Sequence, residues 1–181
     1  MFQGIRRTVI AAVSALTLGV GAAVWATSAA SAAPAATPVC ATSSLAVWVN
    51  VAQSEGAAGT IEYALEFTNI GTKACTLTGY PGIAALNASG KQLGDDGKAR
   101  PIYKATTVTL AVGGTAHADL FWSDGEVYTS GCKPATAAEI KVVPPKQKAS
   151  AVGFFSLAGC TLKNHPYLFV TVVRPGPRQD N

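Results

Sequence analysis

The sequence predicts an all-β fold, an antiparallel β-sandwich of immunoglobulin-like type, and three observations carry that expectation. Apolar and polar residues alternate with period two. Leu45, Val47, Val49 and Val51 interleave with Ala46, Trp48 and Asn50, and Ile61, Tyr63, Leu65 and Phe67 interleave with Glu62, Ala64, Glu66 and Thr68. Such alternation gives a strand one core face and one polar face. Turn-forming clusters of Gly, Pro and Asn recur along the chain, which suits many short strands. Charged residues are sparse at 13%. A surface kept wet by Ser, Thr and Asn fits a secreted β-protein better than a helical one.

The first 32 residues predict the compartment. Arg6 and Arg7 precede an apolar run from Thr8 to Ala26, and Ala30-Ser31-Ala32 places small residues at a cleavage site. This is the layout of a secretory signal peptide. Cleavage after Ala32 leaves 149 of 181 residues, enough for one domain with a sizeable core. Of the 14 basic residues, Arg6 and Arg7 leave with the leader. The remaining 12 against 10 acids put the mature chain near +2 rather than +4. So mild a surplus, without a basic cluster, argues against nucleic acid as partner. The run is rich in Ala and Gly rather than Leu, so cleavage is favoured over an uncleaved anchor. The residues around Arg6 and Arg7 show no other twin-arginine element, so general secretion is expected. Cys40 follows Val39 well past the run, which argues against lipid anchoring. The expected location is extracellular, with at most loose wall association and no membrane contact after cleavage.

Residues 33–39 are Ala, Pro and Thr, a linker without periodicity. The sandwich is expected over 40–173. Residues 45–51 and 61–67 read as a hairpin about a turn at 54–59. A short strand at 74–78 leads into Gly79-Tyr80-Pro81-Gly82, which fits a type II turn with positive φ at Gly82. Strand 83–86, a turn at 87–90 and a solvated tip at Gly94-Asp95-Asp96-Gly97 follow. Strand 107–110, the turn Val112-Gly113-Gly114 and the alternation of Ala116, Ala118, Leu120 and Trp122 come next. Residues 123–134 read as loop and 136–139 as a short helical turn. Strands at 140–143, 151–157 and 167–173 complete the count. Pro144-Pro145 ends one of them, since proline cannot donate to a ladder. Residues 174–181 read as a mobile tail.

Four cysteines allow three pairings. The hairpin registers choose among them. Pairing 45–51 with 61–67 places Cys40 opposite roughly residue 72, near Cys75. Pairing 140–143 with 151–157 places Cys132 opposite roughly residue 162, near Cys160. Both favour Cys40–Cys75 and Cys132–Cys160. The rival is a metal or redox site, but no C-x-x-C occurs and the chain has only two histidines.

Other motifs read as bland. Ser130-Gly131-Cys132-Lys133 matches the S-x-x-K of penicillin-recognising enzymes, yet Pro134 follows and no K-T-G does. There is no G-x-S-x-G elbow. His117 and Asp119 share an outward strand face and read as solvated. His165 precedes Pro166 without a carboxylate or Cys nearby. Asp95-Asp96 lacks the alternation of a calcium loop. Asn87-Ala88-Ser89 fits a glycosylation sequon and implies nothing by itself. No catalytic residue, cofactor or metal is therefore expected. Trp48 and Phe121 fall on the polar side of their strands and are the candidates for surface binding, because exposed aromatic rings bind sugars and partner proteins. Against this, a loop or the tail would cover them.

Several segments together resemble a known family. They are Cys40 at the domain start, Glu66-Phe67-Thr68-Asn69-Ile70-Gly71 before Cys75-Thr76-Leu77, Gly79-Tyr80-Pro81-Gly82, residues 110–116, and Val143-Pro144-Pro145. The chain resembles the domain of unknown function 4232 of secreted actinobacterial proteins and lipoproteins over about residues 40–173. The resemblance implies an extracellular sandwich with disulfides and no established catalytic residues. Asn69 and Gly71 also read physically, as residues that turn the chain out of a strand. The expected function is non-enzymatic binding of a cell-envelope or extracellular ligand. The alternative is an extracellular hydrolase or a protease-inhibitor-like module, for which the loop at 123–134 would be the protruding element.

Overall fold

The computed structural model describes residues 35–178, apart from 58 and 128–130. The predicted leader, its cleavage site and the first two linker residues lie outside that range. In chain order the strands are β1 (Leu45–Ala57), β2 (Thr60–Asn69), β3 (Cys75–Thr78), β4 (Gly82–Leu86), β5 (Lys98–Ala99), β6 (Thr107–Leu110), β7 (Thr115–Ser123), β8 (Pro134–Val143), β9 (Ala151–Cys160), β10 (Leu168–Val170) and β11 (Arg174–Pro175). A 3-10 turn (Thr42–Ser44) precedes β1 and one helical turn, α1 (Asp124–Val127), follows β7. The fold is all-β, as the alternation predicts.

Three sheets enclose one core. The largest runs β1-β2-β7-β10-β5, with β11 also on β7. The second is β3-β6 and the third β4-β8-β9. Leu65, Phe67 and Leu120 from the first meet Leu77, Val108, Ile83, Ile140, Val142 and Phe155 from the others. Each side chain of that kind, moved from water to the core, contributes about 1.5–3 kcal/mol. Tyr167 is buried among them. Its hydroxyl donates to the Leu93 carbonyl at 3.2 Å, and burial pushes its phenol up to about 12.

Several expectations change. The β1–β2 hairpin is longer: Trp48 faces Glu66, and β1 continues to Ala57 past an irregularity after Asn50. The sandwich is not wholly antiparallel, because β5 lies parallel to β10. Positive φ falls on Gly79, not Gly82, which instead opens β4. Residues 136–139 are strand, bulged against β9 rather than helical. Linker residue Val39 bridges Thr76 and so joins the fold. The tip at Asp95 is not free. Its carboxylate accepts from the Asn164 backbone N–H at 2.6 Å and pairs with Lys163, which also reaches the Gly94 carbonyl.

Both disulfides form as the registers predict. Cys40–Cys75 closes 35 residues and Cys132–Cys160 closes 28, with Cα atoms 4.8 and 5.5 Å apart. The first ties the chain's entry to β3. The second ties the end of β9 to the start of β8.

Asn69 ends β2 and holds the loops around it. Its Nδ2 donates to the carbonyls of Lys73 at 2.9 Å and Leu110 at 3.1 Å, and its Oδ1 accepts from the Gly71 N–H at 3.0 Å. The residue is fully buried. Its backbone bonds Gly113, which turns with φ of 75° and so needs glycine. Asn69→Ala should therefore destabilise the domain by about 2–3 kcal/mol, since it orphans buried backbone groups. Urea midpoints of the two proteins test this. A change within about 0.5 kcal/mol would mean that water replaces the amide.

Candidate functional site

Strand alternation gives the large sheet an outer face built from Trp48 and Asn50 of β1, Glu62 and Glu66 of β2, and His117, Asp119 and Phe121 of β7. The ladder sets them in rows: Trp48 beside Glu66 beside His117, and Glu62 beside Phe121. The period-two pattern predicts this face as solvated. The structure corrects that for its centre, where Glu66, His117 and Asp119 are all buried.

The cover is the C-terminal segment. Residues 174–178 are no mobile tail: Arg174 and Pro175 pair with His117 and Ala116 as β11. Arg174 Nη2 reaches both Asp119 oxygens, at 2.6 and 2.7 Å, while its guanidinium lies 4.1 Å over the Tyr103 ring. The chain then turns at Gly176, whose φ is 77°. The Gly176 carbonyl only accepts, so His117 Nδ1 donates to it, at 2.7 Å. Arg178 closes the segment with ion pairs of 2.9 Å to Glu62 and 3.3 Å to Glu55.

The chemistry of this face is fastening. Asp119 is fully committed to Arg174, while the Thr171 hydroxyl accepts from the Asp119 backbone N–H. His117 Nε2 stands 4.0 Å from Asp119 Oδ1, beyond hydrogen-bond reach. Asn50 Nδ2 donates to Glu66 at 3.3 Å. Among the described residues no three His, Cys, Asp or Glu side chains gather as a metal site requires. Glu62 is the perturbed group. Burial, then the Asp119 charge, raises its carboxyl above 4.5, with Glu55 adding to the rise and Arg178 and Arg100 opposing it.

That shift has a sign. An acid raised in the folded state contributes stability that is full below its unfolded value and is lost as pH climbs through the folded one. The stability difference between the native protein and Glu62→Gln should thus move against the native protein from pH 4.5 upward. Denaturant midpoints of both proteins at several pH values read it. Parallel curves would show that Glu62 does not titrate differently on folding.

The two aromatic candidates part company. Phe121 is not exposed. It keeps 6% of its surface, with Phe169 as its cross-strand neighbour and the Arg100 guanidinium 4.0 Å over its ring. The cover comes from a loop residue that period-two reasoning on one strand does not see. Trp48 is 44% exposed. Sequence reasoning missed its neighbours. β9 runs beside β1, and a Cβ on Gly153 would lie 4.0 Å from the Trp48 Cα. Flanking that glycine, Val152 is exposed and Phe154 is 90% exposed. Burial alternates regularly here, with Val152, Phe154 and Ser156 outward and Phe155 and Leu157 inward, but apolar residues stand on both sides of the strand, so the sequence pattern alone does not single Phe154 out.

The remaining motifs are structural where described. Ser130 lies outside the described residues, and Cys132 is bridged. His165 packs against Gly131, where a Cβ would collide with its ring. In the loop at 123–134, α1 tucks Val127 into the core. Among the described residues no helix is long and apolar enough to cross a membrane.

Fold and site together define a disulfide-stapled β-domain whose polar sheet face is covered by its own C-terminal segment. The family model for a domain of unknown function (DUF4232) matches residues 40–174, and the chain belongs to that family. Comparison with curated proteins and with solved structures finds no match.

Proposed function

We propose that this is a secreted, non-enzymatic binding module that works at or beyond the cell envelope. The observation that carries the reading is that three large apolar side chains stand in water, Trp48 on β1 and Val152 and Phe154 on β9, a strand that passes beside β1. Large aromatic side chains left in water on neighbouring strands are a common anchor for partners, because covering them removes much apolar surface at once. Two disulfides suit an oxidising compartment, and the leader supplies the route. His117 and Asp119, the polar pair a hydrolase would draw on, hold the C-terminal segment instead. That supports binding over catalysis.

Co-sedimentation with purified insoluble cell wall tests the reading. The native protein should pellet with the wall. Trp48→Ala with Phe154→Ser should lose that retention by at least about tenfold, as expected for two central aromatic anchors, with the thermal midpoint unchanged. Equal retention of both proteins, or retention of neither, would overturn it.

A further inference from the structure

Glu55 and Glu62 are direct cross-strand partners at the far end of the β1–β2 hairpin. Like charges placed opposite each other on a sheet repel. Here the Arg178 guanidinium joins them. Two clefts share these carboxylates. One, of about 380 Å³, adds Thr60, Arg100 and Phe121. The other, of about 500 Å³, follows the C-terminal segment past Tyr103 and His117.

The segment is held unequally along its length. Arg174 sits on a fully buried aspartate; at the other end Arg178 is itself largely buried against Glu62, but its second partner, Glu55, has a side chain 68% exposed. Exposed ion pairs hold weakly and exchange readily. The family match stops at Arg174. Residues 175–178 are thus a stretch beyond the family domain, laid across that domain's face. They show in detail what the face accepts: a backbone turned at a glycine whose carbonyl accepts a hydrogen bond from His117 Nδ1–H, and a guanidinium spanning two carboxylates.

We propose that this face is a binding site for a glycine-turned, arginine-bearing peptide segment of a partner, and that residues 175–178 are its resident occupant, displaced when the partner binds. Arg174 stays on Asp119 throughout, so the domain keeps its buried ion pair while the outer end opens. The incoming guanidinium takes the place of Arg178 between Glu55 and Glu62. Arginine suits the place better than lysine, because a planar fork reaches two acceptors at once. This site is separate from the exposed Trp48 and Phe154 and does not depend on them.

The test uses the full chain and a labelled Pro-Gly-Pro-Arg amide, followed by fluorescence anisotropy at low salt. Arg178→Ala should bind the probe about tenfold more tightly than the native protein, because the competing guanidinium is gone. Adding Glu55→Gln and Glu62→Gln to that variant should remove the gain. Arg178→Gln serves the same comparison if the alanine variant has a lowered thermal midpoint. In the native protein, saturating probe should speed amide exchange at Gly176 and Arg178. Equal binding by the native protein and the Arg178 variants, binding that survives both glutamines, or unchanged exchange at saturation would each overturn the proposal. Trp48→Ala with Phe154→Ser should leave probe binding unaltered, which keeps this result independent of the wall-binding one.

Discussion

Arg174→Ala should destabilise the domain by about 3 kcal/mol, the low end of the cost of stripping one partner from a buried ion pair. Asp119 has no exposed surface, and Arg174 supplies the guanidinium contacts to both its oxygens. Without it a carboxylate stays in a low-dielectric site with only the Thr171 hydroxyl and a distant imidazole nearby. The Arg174 side chain is itself about one-third exposed, so water can enter, which is why the low end applies. The same change removes the stacking on Tyr103. For a domain of this size the thermal midpoint should fall by roughly 6–12 °C. Asp119→Asn with Arg174→Met should cost less than Arg174→Ala alone, because it leaves no orphaned charge. Calorimetry of the three proteins decides it. An Arg174→Ala midpoint within about 2 °C of native would mean that the segment contributes no net stability.

Replacing Cys132 and Cys160 together by alanine should cost about 2–5 kcal/mol. The bridge closes 28 residues, and a loop of that length restricts the unfolded chain by roughly 3.6 kcal/mol in the chain-entropy account. It also fixes the Pro134–Cys160 rung, where β8 and β9 would otherwise fray. Removing Cys40 and Cys75, which close a similar loop of 35 residues, should cost a similar amount. Denaturant midpoints measure both. Retention on wall material, read below the new melting point, should survive the Cys132–Cys160 change, since Trp48 and Phe154 sit on other parts of β1 and β9. Lost retention at unchanged stability would assign the sulfurs a binding role and sink the structural reading.

How legible the fold was depended on how local the cause was. The β1–β2 and β8–β9 hairpins, the ends set by Pro144 and Gly113, and both disulfides follow from contacts near in sequence or from a register counted out from one turn. Two of the errors were local. Positive φ at Gly79 rather than Gly82 depends on where β4 begins. The helical reading of residues 136–139 ignored that β8 already had partners on both sides.

The candidate sites were less legible. Alternation tells which side chains share a face, but not what covers it. His117 and Asp119 were placed correctly on the outer face of β7 and wrongly in water, because residues 174–178, some 55 positions away, lie on them. Phe121 was lost as a surface candidate to Arg100 for the same reason. Phe154 emerged only from burial, because apolar residues fill both sides of β9 around it.

By itself, then, the sequence determined the class of fold, most of the strands, the pairing of the four cysteines and the family. All of these rest on periodicity, turn chemistry and motif order along one chain. Only the tertiary structure decided which polar groups are buried, which aromatic rings face water, and that the C-terminal residues are a fastened strap. Those depend on desolvation by segments distant in sequence. A carboxylate such as Asp119 reads the same in the sequence whether it faces water or an arginine.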